Sequence, residues 1–162
     1  MSSVRRQKIS PCLWFDGNAE EAVAHYTSVF KDSKVTRTLR WGDENPDLKG
    51  KVLLLEFELG GQTFQALNGG PQFKFSEAIS LSVDCADQAE VDYFWKRLLE
   101  GGGTEGNCSW LKDRFGLSWQ IVPHRLPELL SDPDPARARR AMQSMMTMNK
   151  IDIAEIERAA NG

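Results

Sequence analysis

One order of elements occurs twice along this chain: an apolar strand, an amphipathic helix, then short strands separated by glycine turns. Ile9 to Phe15 reads as a strand, Asp16-Gly17-Asn18 breaks it and supplies an N-cap, and Ala19 to Phe30 carries Ala22, Val23, Tyr26, Val29 and Phe30 at helical spacing. Strands are expected at Lys34 to Trp41, Lys51 to Leu59 and Gln62 to Leu67, the last two joined by Gly60-Gly61, a two-residue hairpin signal. After Asn68-Gly69-Gly70-Pro71 the order begins again. Ala78 to Val83 alternates as a strand, and Gln88 to Glu100 places Val91, Phe94, Trp95, Leu98 and Leu99 on one helical face before Gly101-Gly102-Gly103 ends it. Strands near Thr104 to Cys108, Trp110 to Lys112 and Leu117 to Val122 follow, with Pro123 and Pro127 stopping the sheet. The halves can be laid over one another: Ala19, Ala22 and Tyr26 fall on Ala86, Ala89 and Tyr93, and with a second shift Gly61, Phe64 and Gln65 fall on Gly116, Trp119 and Gln120. The pattern predicts an α+β chain of two βαβββ modules.

The expected organisation is a disordered tail at 1–8, a first module at 9–71, a second at 78–123 and a helical tail at 126–162, all in one structural domain. In the tail, Asp132-Pro133-Asp134-Pro135 starts a helix from Ala136 to about Met148, and Asp152 with Glu155 forms a capping box for a final short helix. Met142, Met145, Met146 and Met148 give it a soft apolar surface, for core packing, a dimer contact or a cap over a ligand pocket. Arg5-Arg6 reads as a solvated tail and Arg137, Arg139 and Arg140 as the outer face of a helix.

A net charge of −3 offers no electrostatic pull toward nucleic acid or anionic lipid. No apolar run approaches a membrane span, and the opening residues lack an apolar signal core. Cys12, Cys85 and Cys108 are an odd number without CxxC spacing, so neither a disulfide framework nor a zinc motif is expected. The expectation is a cytoplasmic protein with no nucleic-acid or membrane partner.

Alternation assigns faces. In the first strand it puts Cys12 and Trp14 under the helix, with Pro11, Leu13 and Phe15 opposite. Leu53, Leu55, Phe57, Phe64 and Ala66 face the core, leaving Leu54, Glu56, Glu58, Gln65 and Leu67 opposite. In the second module Ile79, Leu81, Val83, Trp119 and Ile121 face the core, leaving Ala78, Ser80, Ser82, Ser118, Gln120 and Val122 opposite. The helix-free face thus mixes apolar and hydroxyl side chains, as a half-polar cavity would.

Three runs, Ile9 to Ala22 (ISPCLWFDGNAEEA), Phe57 to Pro71 (FELGGQTFQALNGGP) and Trp110 to Pro123 (WLKDRFGLSWQIVP), resemble the PhnB-like branch of the vicinal oxygen chelate superfamily, the glyoxalase/bleomycin-resistance/dioxygenase fold. The resemblance runs from about Ile9 to Ala160. It implies an open, curved eight-stranded barrel of two βαβββ modules followed by C-terminal helices, usually a homodimer. Members are often labelled demethylubiquinone methyltransferase-like, but no glycine-rich strand-to-helix turn of the kind that binds S-adenosylmethionine is visible here. Metal-dependent relatives ligate a divalent ion from the first and fourth strands of each module. Carried over, those positions are Pro11, Gln65, Ala78 and Gln120. Pro and Ala have no side-chain donor and an amide oxygen is a weak neutral ligand, so no metal or other cofactor is expected. The Gln65 position depends on the register of the Gln62–Leu67 strand.

Function follows by weighing what remains. A metal-free module binding or sequestering a small apolar or aromatic molecule would use Leu13, Phe15, Trp41, Leu67, Ser80, Ser82, Trp110 and Gln120. A metal-independent enzyme of the same superfamily (an isomerase, lyase or transferase) would have to draw on Glu56, Glu58 or Asp16. A structural or regulatory homodimer is the third reading. A catalytic cysteine is not supported, because neither Cys85 nor Cys108 has a histidine beside it in sequence.

Overall fold

The computed structural model describes residues 7–162, and Arg5-Arg6 with most of the expected N-terminal tail lies outside them. Gln7 is held: its amide donates to the carbonyl oxygens of Ile9 and Thr63 and accepts from the Thr63 N–H. The chain divides into two compact units, one ending at Lys74 and the other Phe75–Gly162.

The first unit runs β1 (Cys12–Phe15), α1 (Ala19–Val29), β2 (Ser33–Arg40), β3 (Val52–Leu59) and β4 (Gln62–Asn68). Its sheet has the order β1-β4-β3-β2, with β1 parallel to β4 and the other pairs antiparallel. Helix α1 buries Ala19, Ala22, Val23, Tyr26 and Val29 on one face, and the Tyr26, Phe57 and Phe64 rings stack at centroid spacings of 6.5 and 5.6 Å. The Asp16–Asn18 turn does not cap it through a side chain. Asn68 at the end of β4 does: its Oδ1 accepts from the Ala19 N–H at 2.9 Å, while its Nδ2 donates to Glu20 and to the Val52 carbonyl.

The face assignment of β1 is reversed. Leu13 and Phe15 are buried in the core, whereas Cys12 is exposed and Trp14 half-buried. The ladder gives the reason. Leu13 pairs with Ala66 and so shares its core face, while Cys12 pairs with Gln65 on the other, and a shift of one residue moves every side chain to the opposite face.

The second unit repeats the order with β5 (Leu81–Cys85), α2 (Gln88–Leu99), β6 (Thr104–Glu105), β7 (Trp110–Lys112) and β8 (Ser118–Pro123), in a sheet of order β5-β8-β7-β6. The Asp87 side chain accepts from the Glu90 N–H while the Glu90 carboxylate accepts from the Ala86 N–H, a reciprocal cap for α2. Val91, Trp95 and Leu98 on α2 are buried, as are Leu111, Trp119 and Ile121 on the strands it packs against. Strand β5 starts at Leu81 rather than Ala78, so Ala78 lies in a turn and Ile79, expected in the core, is 63% exposed. Strand β6 ends at Glu105 instead of reaching Cys108, because Cys108 and Ser109 turn the chain at φ 56° and 80°. That strained pair is held from outside: the Cys108 N–H donates to Met148 and the Ser109 N–H to Asn149, at 2.8 and 2.9 Å.

Three helices follow: α3 (Arg125–Leu130), α4 (Pro135–Met145) and α5 (Ile153–Asn161). The first was not expected, since Pro127 reads as a breaker; it sits in the first turn, where a missing N–H costs little. Asp134 and Asp152 cap α4 and α5 through their carboxylates. Leu126, Leu129, Ala141, Ile151, Ile156 and Ala160 form a core shared by the three. Of the three arginines expected on an outer face, Arg139 is exposed, but the other two are half-buried and structural: Arg140 donates to the last carbonyls of α5, and Arg137 bonds Asp132 and Asn161. The α+β class, the two βαβββ modules and the helical tail are as the sequence led us to expect, with the eight strands in two four-stranded sheets.

Candidate functional site

In the second unit, strand pairing sorts the side chains into two layers. Leu111, Trp119 and Ile121 lie toward α2; Ser82, Trp110 and Gln120 are register partners on the opposite face, as are Thr104, Lys112 and Ser118. A cavity of about 360 Å³ opens on that opposite side, lined by Glu77, Thr104, Gly106, Trp110, Lys112 and Ser118 among others. Lys112 forms an ion pair with Glu77, which comes from the turn before β5. The Ser118 residue is only 1% exposed, and its hydroxyl has no hydrogen-bond partner among the described residues. A buried polar group is normally satisfied, so an open one in a cavity wall marks a place for a ligand atom or water.

The turn below the cavity is rigid for a visible reason. Asp113, 3% exposed, accepts from the Phe115 and Leu117 N–H groups and from the Trp119 indole N–H at 2.9, 3.1 and 2.9 Å. That fixes Ser118 between two pinned neighbours. Gln120 donates to Ser80 Oγ at 2.9 Å, and Ser82 is exposed on the same face.

In the first unit the equivalent face carries Cys12, Trp14, Leu54, Glu56, Gln65 and Leu67. The Trp14 indole donates to the Gly70 carbonyl and meets Phe73 edge-on at 4.8 Å, and Gly69 is required beneath it because a Cβ there would lie 2.3 Å from the ring. Leu67 lies partly buried on this face, and Trp41 sits in the β2–β3 loop, bonded through its backbone to Lys51 and Gly50. Leu13 and Phe15 are absent from the face, having joined the core. The three carboxylates considered for acid–base work are not brought together. Glu56 pairs with Arg37 at 3.5 Å, Glu58 with Lys34 at 3.8 Å, and Asp16 lies exposed in the turn after β1.

The residues present do not fit a divalent metal centre. By register the first- and fourth-strand positions are Cys12 with Gln65 and Ser82 with Gln120, while Pro11 contributes only a backbone carbonyl, already accepting from Gln65, and Ala78 lies off the strand. That set offers one thiol, two amides and a hydroxyl, and partial desolvation pushes the Cys12 thiol pKa up, away from the thiolate a metal needs. No cluster of three or more His, Cys, Asp or Glu suited to a metal occurs among the described residues. His25 is buried in α1, and His124 is exposed against Asp84. Sequence reasoning missed Glu77, Thr104 and Lys112, and it placed Ser118 on the right face without counting it among the binding residues. Lys112 could have been found, two residues from Trp110 on one strand; Glu77 carried no signal, since it reaches the cavity from a turn.

Residues 7–122 match the family model for 3-demethylubiquinone-9 3-methyltransferase. The chain belongs to this family. A PhnB protein from Bacillus cereus that carries the same family name is 33% identical, with a TM-score of 0.65 over 72% of this chain and 99% of its own. A Pseudomonas aeruginosa protein shares the fold at 24% identity, with a TM-score of 0.61 over 73% of this chain and 98% of its own. No curated protein matches. The resemblance to PhnB-like proteins read from the sequence is thereby borne out. The family match ends at Val122, so α3, α4 and α5 lie beyond it. No helix among the described residues is long and apolar enough to cross a membrane.

Proposed function

We propose that this protein binds or sequesters a small, partly aromatic molecule in the cavity of its second unit, without a metal. One observation carries the reading: a cavity of about 360 Å³ lined by Trp110 contains a buried serine hydroxyl with no partner among the described residues. The volume is at the small end of ligand pockets, about 300–1,000 Å³, and one indole beside the Glu77, Thr104, Lys112 and Ser118 side chains offers a flat apolar contact together with polar groups that orient a ligand. The methyl transfer in the family's name finds less support. The β1–α1 turn has a single glycine and the β5–α2 turn none, and each sheet has only one parallel strand pair, so neither unit offers the glycine-rich turn of a doubly wound nucleotide fold.

We also propose a homodimer. Strand β2 is an eight-residue edge strand whose residues are almost all exposed, Val35 and Leu39 included, and a second copy would cover it. Native mass spectrometry of freshly purified protein tests both proposals. Twice the 18.2 kDa chain mass plus a small organic adduct, lost in Trp110→Ala, is the expected result. A monomer would overturn the dimer, and an adduct that persists in Trp110→Ala would overturn the site.

A further inference from the structure

We infer that the cavity's ligand is an aromatic carboxylate, and that Glu77 occupies the carboxylate's place until the ligand arrives. This rests on the binding reading above and adds the ligand's charge. Three wall groups sit in fixed relation on the sheet. Lys112 and Ser118 are register partners across β7 and β8, which puts their Cβ atoms about 4.5–5.5 Å apart on one face. One carboxylate can therefore take the Lys112 ammonium on one oxygen and the Ser118 O–H on the other. Trp110 lies two residues along β7 on the same face, where its ring can meet an arene attached to that carboxylate.

The free protein already holds a carboxylate against the ammonium. Glu77 pairs with Lys112, and the contact holds the Glu77 carboxyl below the usual range. Yet Glu77 leaves the Ser118 hydroxyl unsatisfied, and it comes from a turn rather than from the sheet. The pair is also solvated, with the Lys112 and Glu77 side chains 45% and 61% exposed. A solvated ion pair is weak, so a ligand that adds the Ser118 bond and the Trp110 contact displaces Glu77 at small cost. A neutral molecule gains no such exchange.

The test uses the full-length protein, 2-naphthoate and its neutral isostere 2-naphthamide, measured by calorimetry. The wild type should favour naphthoate by about tenfold, the worth of one charge-assisted contact. Glu77→Gln, at an exposed position, should tighten naphthoate about threefold or more relative to naphthamide. Lys112→Met should erase the preference. Equal binding of both probes, unaltered by Glu77→Gln and Lys112→Met but lost in Trp110→Ala, overturns the carboxylate inference and keeps the cavity as a binding site. Binding that survives Trp110→Ala, or no binding of either probe at millimolar concentration, overturns both.

Discussion

The hairpin that leads into the last strand of each module occupies the same place in the fold and is held in two different ways. In the first unit Gly60 and Gly61 turn the chain at φ 56° and 79°, a conformation that glycine adopts without strain. In the second, Gly116 also turns the chain at a positive φ of 88°, but the Asp113 carboxylate is added and gathers two backbone N–H groups and an indole N–H. The strands around the hairpins differ to match. Strands β2 and β3 have eight residues each, whereas β6 has two and β7 three. A long ladder supplies its own register, and a short one needs side-chain anchors. The shortened edge of the second sheet is where the cavity opens, and the anchors keep its wall in place.

The largest expected effect follows from that difference. Asp113→Ala strands three donors in or beside the core and should destabilise the protein by about 4 kcal/mol, at about 1–3 kcal/mol per unsatisfied buried group. Urea unfolding measures it. A loss below about 1 kcal/mol would put the aspartate hairpin level with an ordinary turn and break the comparison.

The second unit has another anchor that the first lacks. Gln88 on α2 donates to the Ile151 carbonyl and accepts from the Ile153 N–H at the start of α5, both at 2.9 Å. Gln88→Ala should cost about 2 kcal/mol for the two bonds. The loss should be local, so amide exchange should accelerate in α5 and stay unchanged in α1. Equal acceleration in both helices would mean that the tail is not a separately anchored element.

The glycine hairpin gives a smaller number. Gly61→Ala places a Cβ at φ 79°, with no heavy atom within 4 Å to clash, so the penalty is conformational alone, about 1–2 kcal/mol. A penalty equal to that of Asp113→Ala would show that backbone conformation and the buried carboxylate are equally decisive.

Much of this was legible in the sequence because helix and strand periods differ and glycine marks the turns. Helices α1 and α2 and strands β2, β3, β4, β7 and β8 fell within one residue of their observed bounds. The β1 face was not legible: Cys12, Leu13, Trp14 and Phe15 are all apolar, so either parity satisfies the rule, and only pairing with Ala66 decides it. Ile79 extended an alternation that the chain does not use. Pro127 hid α3, because its position in the first turn depends on where the helix begins. For the cavity, Trp110, Ser118 and Lys112 could be read from one strand pair, but the carboxylate that meets Lys112 could not.

The smallest effect compares the first strands of the two modules through their cysteines. Cys85, at the end of β5, is fully buried, and desolvation together with Glu90, Asp84 and Asp87 pushes its thiol up to about 12. Cys12, at the start of β1, is exposed, and partial desolvation alone moves its thiol in the same direction. An aromatic disulfide reagent at pH 8 should therefore modify Cys12 in the native protein and reach Cys85 only after denaturation. The pH dependence has a definite sign. Between the ordinary value of 9.0 and about 12 the unfolded Cys85 thiol is ionised and the folded one is not, so the unfolded state binds fewer protons. Stability present below pH 9 therefore falls as pH rises toward 12. Cys85→Ala should flatten that slope between pH 9 and 10, and Cys12→Ala should change it less. Equal labelling rates for the two thiols, or a slope that Cys85→Ala leaves untouched, would show that β5 does not bury its terminal residue and that the two modules seat their first strands alike.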